Sequence, residues 1–171
     1  YLLHGNLHDT EMNDLYNHPK VSANITFTHG EGYGRPLLEA SLSGKPIIAP
    51  NWSGHVDFLN MPTKDKKGKI KNKSMFAKVD HTLAPVQDHA VWEGVIQRDS
   101  EWAYPDQGSF KIKMREVFKD YGRFKKQATK LKKYLNKNLT SKIQNEKICS
   151  LVSEFEISDD WASSLKEIEI L

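Results

Sequence analysis

Two glutamates, Glu31 and Glu39, lie in and beside a glycine-rich stretch and could bind the same ligand. The thirteen residues from 28 to 40 contain three glycines, one proline and these two glutamates, which lie eight positions apart. A Gly-rich turn that opens a helix binds anions, because its free backbone N–H groups and the helix dipole both point at the ligand. Carboxylates accept strong hydrogen bonds from sugar hydroxyls. The combination favours a ligand that is anionic at one end and rich in hydroxyls at the other, such as a nucleotide sugar.

The residues on either side of this stretch predict the strand and the helix that hold it. Ile25 and Phe27 lie at strand spacing, which predicts a strand over 23–28. The residues after Pro36 follow a helical period up to Gly44, which predicts a helix over 36–43 with Pro36 at its first position. The apolar run over 45–49 predicts a short buried strand, parallel because it follows a helix. Strands that alternate with helices predict an α/β fold with an open parallel sheet.

The same stretch resembles the signature of retaining glycosyltransferases of the GT-B fold, in particular the large family 4 that uses nucleotide-sugar donors. The family pattern reads roughly Ser/Thr-x-x-Glu-Gly-Phe/Tyr-Gly-x-Pro-x-x-Glu-Ala, then Gly-x-Pro-Val-Ile-Ala and a Gly-rich turn. This chain reads Thr-His-Gly-Glu-Gly-Tyr-Gly-Arg-Pro-Leu-Leu-Glu-Ala over 28–40, Gly-Lys-Pro-Ile-Ile-Ala over 44–49, and then Ser53 and Gly54. The match is dense over residues 1–60 and weaker over 75–155. It implies a Rossmann-like sheet flanked by helices, the C-terminal half of a GT-B enzyme.

The resemblance also assigns roles to single residues. Glu31 matches the glutamate near the reaction centre of the transferred sugar and is the candidate catalytic residue, either as nucleophile or as orienting group. Glu39 matches the glutamate that binds the ribose hydroxyls of the donor. The other candidate donor-binding residues are Gly32, Tyr33, Gly34, Arg35, Pro36, Leu38, His29 and His55.

Two of these histidines have structural interpretations as well. His29 could act as a general acid–base group, although a turn histidine that bonds to backbone is the favoured interpretation. His55 follows Ser53 and Gly54, and a contact with the diphosphate and a purely structural role both remain open.

The resemblance implies no metal and no cofactor, since the nucleotide sugar is a substrate and helix dipoles and basic side chains stabilise its leaving diphosphate. The sequence itself contains no group of residues at metal-ligand spacing. In the family, an arginine and a lysine from earlier strands grip the phosphates, and an N-terminal domain binds the acceptor, here a glycan or a lipid-linked molecule. We therefore expect residues 1–155 to form part of a donor-binding domain, 156–171 to form an acidic helical tail, and the isolated chain to be inactive.

The C-terminal half of the sequence predicts mainly helices. A helix is expected over 106–139, capped by Asp106 and broken near Tyr121, followed by helices over 140–155 and 158–171. Trp102, which lies just before Asp106, is interpreted as core packing. The stretch 75–92 predicts short strands, with these core residues: Phe76, Val79, Val86, Val91 and Trp92.

Charge and cysteine content bear on partners and compartment. The formal net charge is +3, but six lysines and one aspartate fall within 64–73, and twelve basic residues fall within 111–142. In 111–142 apolar residues recur at helical intervals from Phe118 to Leu135, so a solvated basic face is favoured over contact with a membrane surface, and nucleic-acid binding is disfavoured. The segment 64–73 is expected to be a solvated loop. The single Cys149 excludes an internal disulfide and is expected in the core of a cytoplasmic protein, with peripheral membrane contact as an open alternative.

Three rival functions remain open at this point. The chain could be a non-catalytic module that binds a nucleotide sugar or a glycan, although keeping both glutamates argues against a degenerate site. It could be a nucleotide-sugar epimerase of the same architecture, which the Glu-Gly-Tyr-Gly pattern disfavours. It could also be a basic surface protein, whose binding would weaken at raised salt.

Overall fold

A computed structural model describes residues 2–153 of the chain. Contacts divide the chain into two compact units, Tyr1–Leu135 and Asn136–Leu171. The expected boundary between residues 155 and 156 and the expected helix over 158–171 lie outside the described residues and stay predictions.

The described residues form a mixed α/β structure. Its helices and strands, in chain order, are α1 (Asp9–Asn17), β1 (Asn24–Ile25), α2 (Arg35–Leu42), β2 (Ile47–Pro50), α3 (Val56–Leu59), β3 (Asn60–Lys64), β4 (Ile70–Ser74), β5 (Ala77–Val79), β6 (His81–Pro85), β7 (Glu101–Pro105), α4 (Gln107–Lys119), α5 (Tyr121–Asn138) and α6 (Ser141–Ser153).

A three-stranded parallel sheet lies behind the glycine-rich stretch. Its order is β1-β2-β5, with Asn24 opposite Ile47 and Ile48 opposite Ala77. Every residue of the central strand β2 is buried, which confirms the short, buried, parallel strand that the apolar run predicted. β1 is shorter than the predicted strand 23–28. Pairing ends soon after Ile25, and the ring of Phe27 packs edge-on against Phe110 at 3.6 Å between centroids.

The helices α4 and α5 pack their apolar residues with this sheet. One buried cluster joins Ile48 of β2 and Val79 of β5 to Val117 of α4 and Phe124 of α5. Along α5 the residues at helical spacing that are buried are Phe124, Ala128, Leu131 and Leu135. The predicted amphipathic pattern is thus confirmed for α5, but it is wrong for Phe118, whose side chain at the end of α4 is exposed.

The lysine-rich segment is solvated, as expected, but it is not a loop. β3 and β4 pair as an antiparallel hairpin in which Lys64 lies opposite Ile70. Asp65 organises the turn, because its Oδ1 accepts hydrogen bonds from the N–H groups of Lys67 and Lys69. Gly68 takes the left-handed conformation at φ 78°. The strand signal is hidden because residues 70–73 of β4 are all exposed, so no alternation of apolar and polar residues marks this strand.

A second hairpin, β6–β7, leads into α4. Asp106 caps α4 through Oδ1, which accepts a hydrogen bond from the N–H of Ser109, so the predicted cap is confirmed. Phe76, Val79 and Val86 are buried as predicted, and Val91 is half-buried. Trp92 is 66% exposed, so its prediction as core is wrong: it lies in a turn closed on itself by a hydrogen bond from the Trp92 N–H to the Ile96 carbonyl.

The remaining helix boundaries agree closely with expectation. The predicted break falls at Asp120, between α4 and α5, and α6 spans Ser141–Ser153 within the predicted 140–155. Cys149 is exposed on α6, so its prediction as a core residue is wrong. Within residues 2–153 no helix combines the length and the apolar character needed to cross a membrane.

Candidate anion and carboxylate site at the start of α2

Two turns that lie 22 residues apart in the sequence are joined by hydrogen bonds. The Glu31 N–H donates to Ser53 Oγ at 2.8 Å, and the Ser53 hydroxyl donates back to the Glu31 carbonyl. The Gly54 N–H donates to the same carbonyl at 3.0 Å. Ser53 is held at φ 77°, a left-handed conformation that is unfavourable for a serine and is stabilised here by these bonds. The three bonds fix the backbone from which the Glu31 side chain projects.

Glycine is required on both sides of this junction. A Cβ on Gly54 would lie 2.0 Å from the Gly32 carbonyl oxygen, far inside van der Waals contact. Gly34 takes φ 81°, and a Cβ there would lie 2.8 Å from the Cβ of His55. Gly32 differs, because a Cβ there would meet nothing within 4 Å. The two turns are therefore packed backbone to backbone, while the outer face of Gly32 stays open.

The backbone amides between this junction and α2 point to an anion site. The N–H groups of residues 32–35 donate no hydrogen bond to any residue within 2–153. Pro36 has no N–H. It was predicted as the first residue of α2, but it is the second, because Gly34 is the N-cap and Arg35 begins the helix. Consecutive free amides at a helix N-terminus form a concave set of donors that favours phosphate or carboxylate groups.

The carboxylate of Glu31 is free to meet a ligand. Glu31 is half-buried, and its carboxylate has no ion-pair or hydrogen-bond partner within the described part of the chain. Tyr33, two residues on, is 49% exposed and rests on Phe58 with 5.3 Å between ring centroids. A fixed backbone beneath a carboxylate and a half-exposed aromatic ring suits the binding of a sugar.

His55 supports the junction from below. Its ring is 1% exposed, and Nε2–H donates to the Pro50 carbonyl at 2.8 Å. Nδ1 is buried without a hydrogen-bond partner among residues 2–153. These contacts support the structural role that the sequence left open, and a contact with diphosphate stays a prediction.

His29 is held against the β6–β7 hairpin. Its Nδ1–H donates to the Ala103 carbonyl at 2.9 Å, and its own carbonyl accepts from the Ala103 N–H. The ring stacks on Trp102 at 5.1 Å between centroids and tilts against Tyr104 at 4.7 Å. The backbone-bonding interpretation of His29 is confirmed. Trp102 packs on the His29 ring, but it is half-buried and not in the core as predicted.

Glu39 faces a cavity between α1 and α2. The cavity has a volume of about 220 Å³. It is lined by Asp9, Met12, Asn13, Tyr16, Arg35, Glu39 and Leu42. The Arg35 Nε–H donates to Glu39 Oε1 at 2.8 Å, and the arginine side chain is 82% exposed. A carboxylate beside a solvent-facing guanidinium offers acceptors for hydroxyls and a cation for a phosphate in the same place.

The electrostatics of this cavity are set by burial and by Glu39. Partial burial raises the pKa of the Tyr16 hydroxyl, and the negative charge of Glu39 raises it further. The hydrogen bond and the charge of Glu39 raise the pKa of the Arg35 guanidinium. Tyr16 is therefore a neutral hydroxyl at pH 7, able to donate to a ligand oxygen.

The structure joins most of the predicted residues at the start of α2 and adds others. Glu31, the glycine turn and His55 meet at one junction, whereas Glu39 and Arg35 face the cavity beside α1. Leu38 is half-buried on α2. The site predictions omitted Tyr16 and the other α1 residues of the cavity. Asp9, Met12, Asn13 and Tyr16 stand at helical spacing and so share one face, but no local signal shows that this face meets α2.

No group of histidine, cysteine or acidic residues within 2–153 has the geometry to hold a metal ion. Comparison with family models, with curated proteins and with solved structures finds no match for this chain.

Proposed function

We propose that this chain forms the nucleotide-sugar-binding part of a retaining glycosyltransferase of the GT-B fold, similar to family 4. The observation that carries the proposal is the row of free amides at 32–35, which lies between two carboxylates, Glu31 and Glu39, on one short segment. Amides suit a diphosphate, and carboxylates suit the hydroxyls of a ribose and a sugar. The small parallel sheet beside this segment is compatible with the Rossmann-like sheet of such a domain.

Each part of the donor has a place in this proposal. The diphosphate lies against the amides of 32–35 at the N-terminus of α2, with Arg35 as an exposed cation beside it. The ribose hydroxyls bind Glu39 in the cavity next to Tyr16. The transferred sugar lies over the open face of Gly32, near Glu31 and Tyr33.

The chemistry follows from this arrangement. The bond between the anomeric carbon and the diphosphate oxygen breaks, and positive charge develops on the sugar ring near the Glu31 carboxylate. The leaving diphosphate keeps the bonding electrons and is stabilised by the amides and the dipole of α2. The hydroxyl oxygen of a glycan or lipid-linked acceptor then bonds to the same carbon with retained configuration, and the hydroxyl proton passes to the leaving diphosphate. We place this hexosyl transfer in carbohydrate biosynthesis in the cytoplasm, and the acceptor is bound outside this chain.

Calorimetry with the isolated chain tests donor binding. UDP, GDP, ADP and the nucleotide sugar that matches the tightest of them are titrated into the native chain and into Glu39→Gln. We expect one diphosphate to bind and the variant to bind it at least about tenfold more weakly, because hydrogen bonds to a charged group contribute about 1.5–3 kcal/mol. Loss of the Arg35–Glu39 pair costs little stability, because the arginine side chain is exposed and water and salt screen the pair.

Asp14→Asn is the matched control, because Asp14 is an exposed carboxylate of α1 outside the cavity. Equal affinities for the native chain and Glu39→Gln would refute the ribose role. Sugar transfer assayed with the full-length gene product separates the enzyme from the rival interpretation, a non-catalytic module: the module would bind the donor without releasing its diphosphate.

A further inference from the structure

A second cavity lies between the β3–β4 hairpin and the start of α5. Its volume is about 760 Å³, within the range of pockets that hold small ligands. The hairpin contributes Met61, Lys64 and Lys73, and the helical side contributes Arg123, Lys126 and Lys130. We call this cavity the basic groove. None of its residues belongs to the site at the start of α2 that is proposed to bind the nucleotide-sugar donor, which we call the candidate donor site.

The alignment of side chains in the basic groove follows from strand and helix geometry. Met61 and Lys73 are opposite each other in the hairpin and so point to the same face. On α5, Lys126 and Lys130 follow Arg123 by three and seven positions, which puts the three side chains on one helix face. Two surfaces that carry lysines therefore face one concave space.

The charge of the basic groove is not balanced within the described residues. Its lining has five cations and one carboxylate, Asp120. Arg123 is engaged, because it donates to Asp120 at 2.6 Å and to Glu116 at 2.7 Å. Lys64, Lys73, Lys126 and Lys130 form no ion pair with any residue from 2 to 153. All four lysines are exposed, so water and salt screen their mutual repulsion, and an anion bound among them would lower it further.

We propose that the basic groove binds a ligand that carries several phosphate charges, separately from the donor site. Lysine ammonium groups are compact donors suited to phosphate, and their number matches a ligand with more than one phosphate charge. The lining also includes Met61 and Met75, whose adaptable thioether chains suit the apolar part of a phosphate ester. Among the residues that the structure describes, the lining includes no aromatic side chain on which a base could stack, which disfavours nucleic acid.

The test uses inorganic tripolyphosphate for a free ligand and vesicles for a lipid headgroup. Tripolyphosphate is titrated by calorimetry, and sedimentation measures binding to phosphatidylcholine vesicles with and without phosphatidic acid. The groove variant is Lys126→Gln/Lys130→Gln. Its matched control is Lys111→Gln/Lys119→Gln, which removes the same charge from exposed positions of α4. The candidate donor site also offers amides to phosphates, so the variants, rather than binding alone, decide the assignment.

We expect the groove variant to bind at least one of the two probes about tenfold more weakly than both the native chain and the control. A loss confined to tripolyphosphate identifies a free phosphate ligand, and a loss confined to phosphatidic acid vesicles identifies a lipid headgroup. Equal weakening in both double variants would overturn the proposal, as would binding of neither probe. A single-stranded RNA that binds the groove more tightly than tripolyphosphate would overturn it in favour of nucleic acid. None of these results depends on nucleotide binding, so failure here leaves the proposed function untouched.

Discussion

The substitution Gly54→Ala places one methyl group where the two turns of the candidate donor site touch. Gly54 is not in the left-handed region, so alanine can adopt its backbone conformation. The whole effect is steric: the new Cβ would lie 2.0 Å from the Gly32 carbonyl oxygen, 2.8 Å from the Gly32 carbonyl carbon and 3.1 Å from the Glu31 carbonyl oxygen. All three atoms are backbone, so no rotamer change relieves the clash.

The magnitude follows from the bonds that the clash must break. A Cβ and a carbonyl oxygen need about 3.3–3.6 Å, as in the close C···O contacts between strands, so the two turns must separate by more than an ångström. This removes the bond from the Gly54 N–H to Glu31 and the two bonds between Glu31 and Ser53. At about 1 kcal/mol for each net hydrogen bond, the free energy of unfolding falls by about 3 kcal/mol.

Urea unfolding followed by tryptophan fluorescence measures this loss. The midpoint should fall in Gly54→Ala, and diphosphate binding should disappear because residues 32–35 lose their support. Gly122→Ala is the control: Gly122 lies in α5, a Cβ there meets nothing within 4 Å, and alanine should stabilise the helix by about 0.5–1 kcal/mol. A Gly54→Ala chain that unfolds within about 0.5 kcal/mol of the native chain, less than one hydrogen bond, would refute the packing of the two turns.

The other predictions concern single residues. Gly32→Ala should unfold at nearly the native urea concentration yet bind the nucleotide sugar more weakly, since its methyl group would enter the open face; an unchanged affinity would place the sugar elsewhere. Glu31→Gln should weaken binding of the nucleotide sugar but not of the diphosphate alone, as measured by calorimetry with both ligands. Unchanged binding of the nucleotide sugar, or equal weakening for both ligands, would contradict a contact between Glu31 and the sugar. Hydrogen bonds from Lys113 and then from Arg123 lower the pKa of Glu116 in the folded chain. Its contribution to stability is therefore present above the pKa of the unfolded state and is lost as the pH falls through the pKa of the folded state. By urea unfolding, Glu116→Gln should lower the free energy of unfolding by up to about 1 kcal/mol at pH 7 and by almost nothing in acid below both pKa values. Cys149 should react with a thiol reagent without denaturant because it is exposed, and protection until unfolding would contradict its position on α6.

Local signals predicted the elements around the candidate site well. The apolar run of β2 predicted a buried strand, Gly44 predicted the end of α2, and Asp106 predicted the start of α4. These signals succeed because a cap, a stop or a buried run depends on residues within a few positions of each other. The same logic failed for the β3–β4 hairpin, where exposed lysines on both strands leave no apolar alternation to detect.

Exposure could not be predicted from residue type alone. Trp92 and Cys149 belong to types that are commonly buried, and both are exposed here. Burial depends on what lies opposite a side chain. Trp92 lies in a turn closed by a hydrogen bond to Ile96, and its ring is mostly exposed and is not part of the core.

The groups that could bind a ligand at the start of α2 were evident from the amino-acid sequence: the glycines, the two carboxylates and the helix that begins between them. Which groups meet there depends on how distant segments of the chain pack. Ser53 and Gly54 reach the Glu31 turn across 22 residues, and the α1 face with Tyr16 lies beside Glu39. The reason is physical, because helix and turn preferences act over a few residues, whereas contacts between distant segments depend on how the sheet and the helices pack.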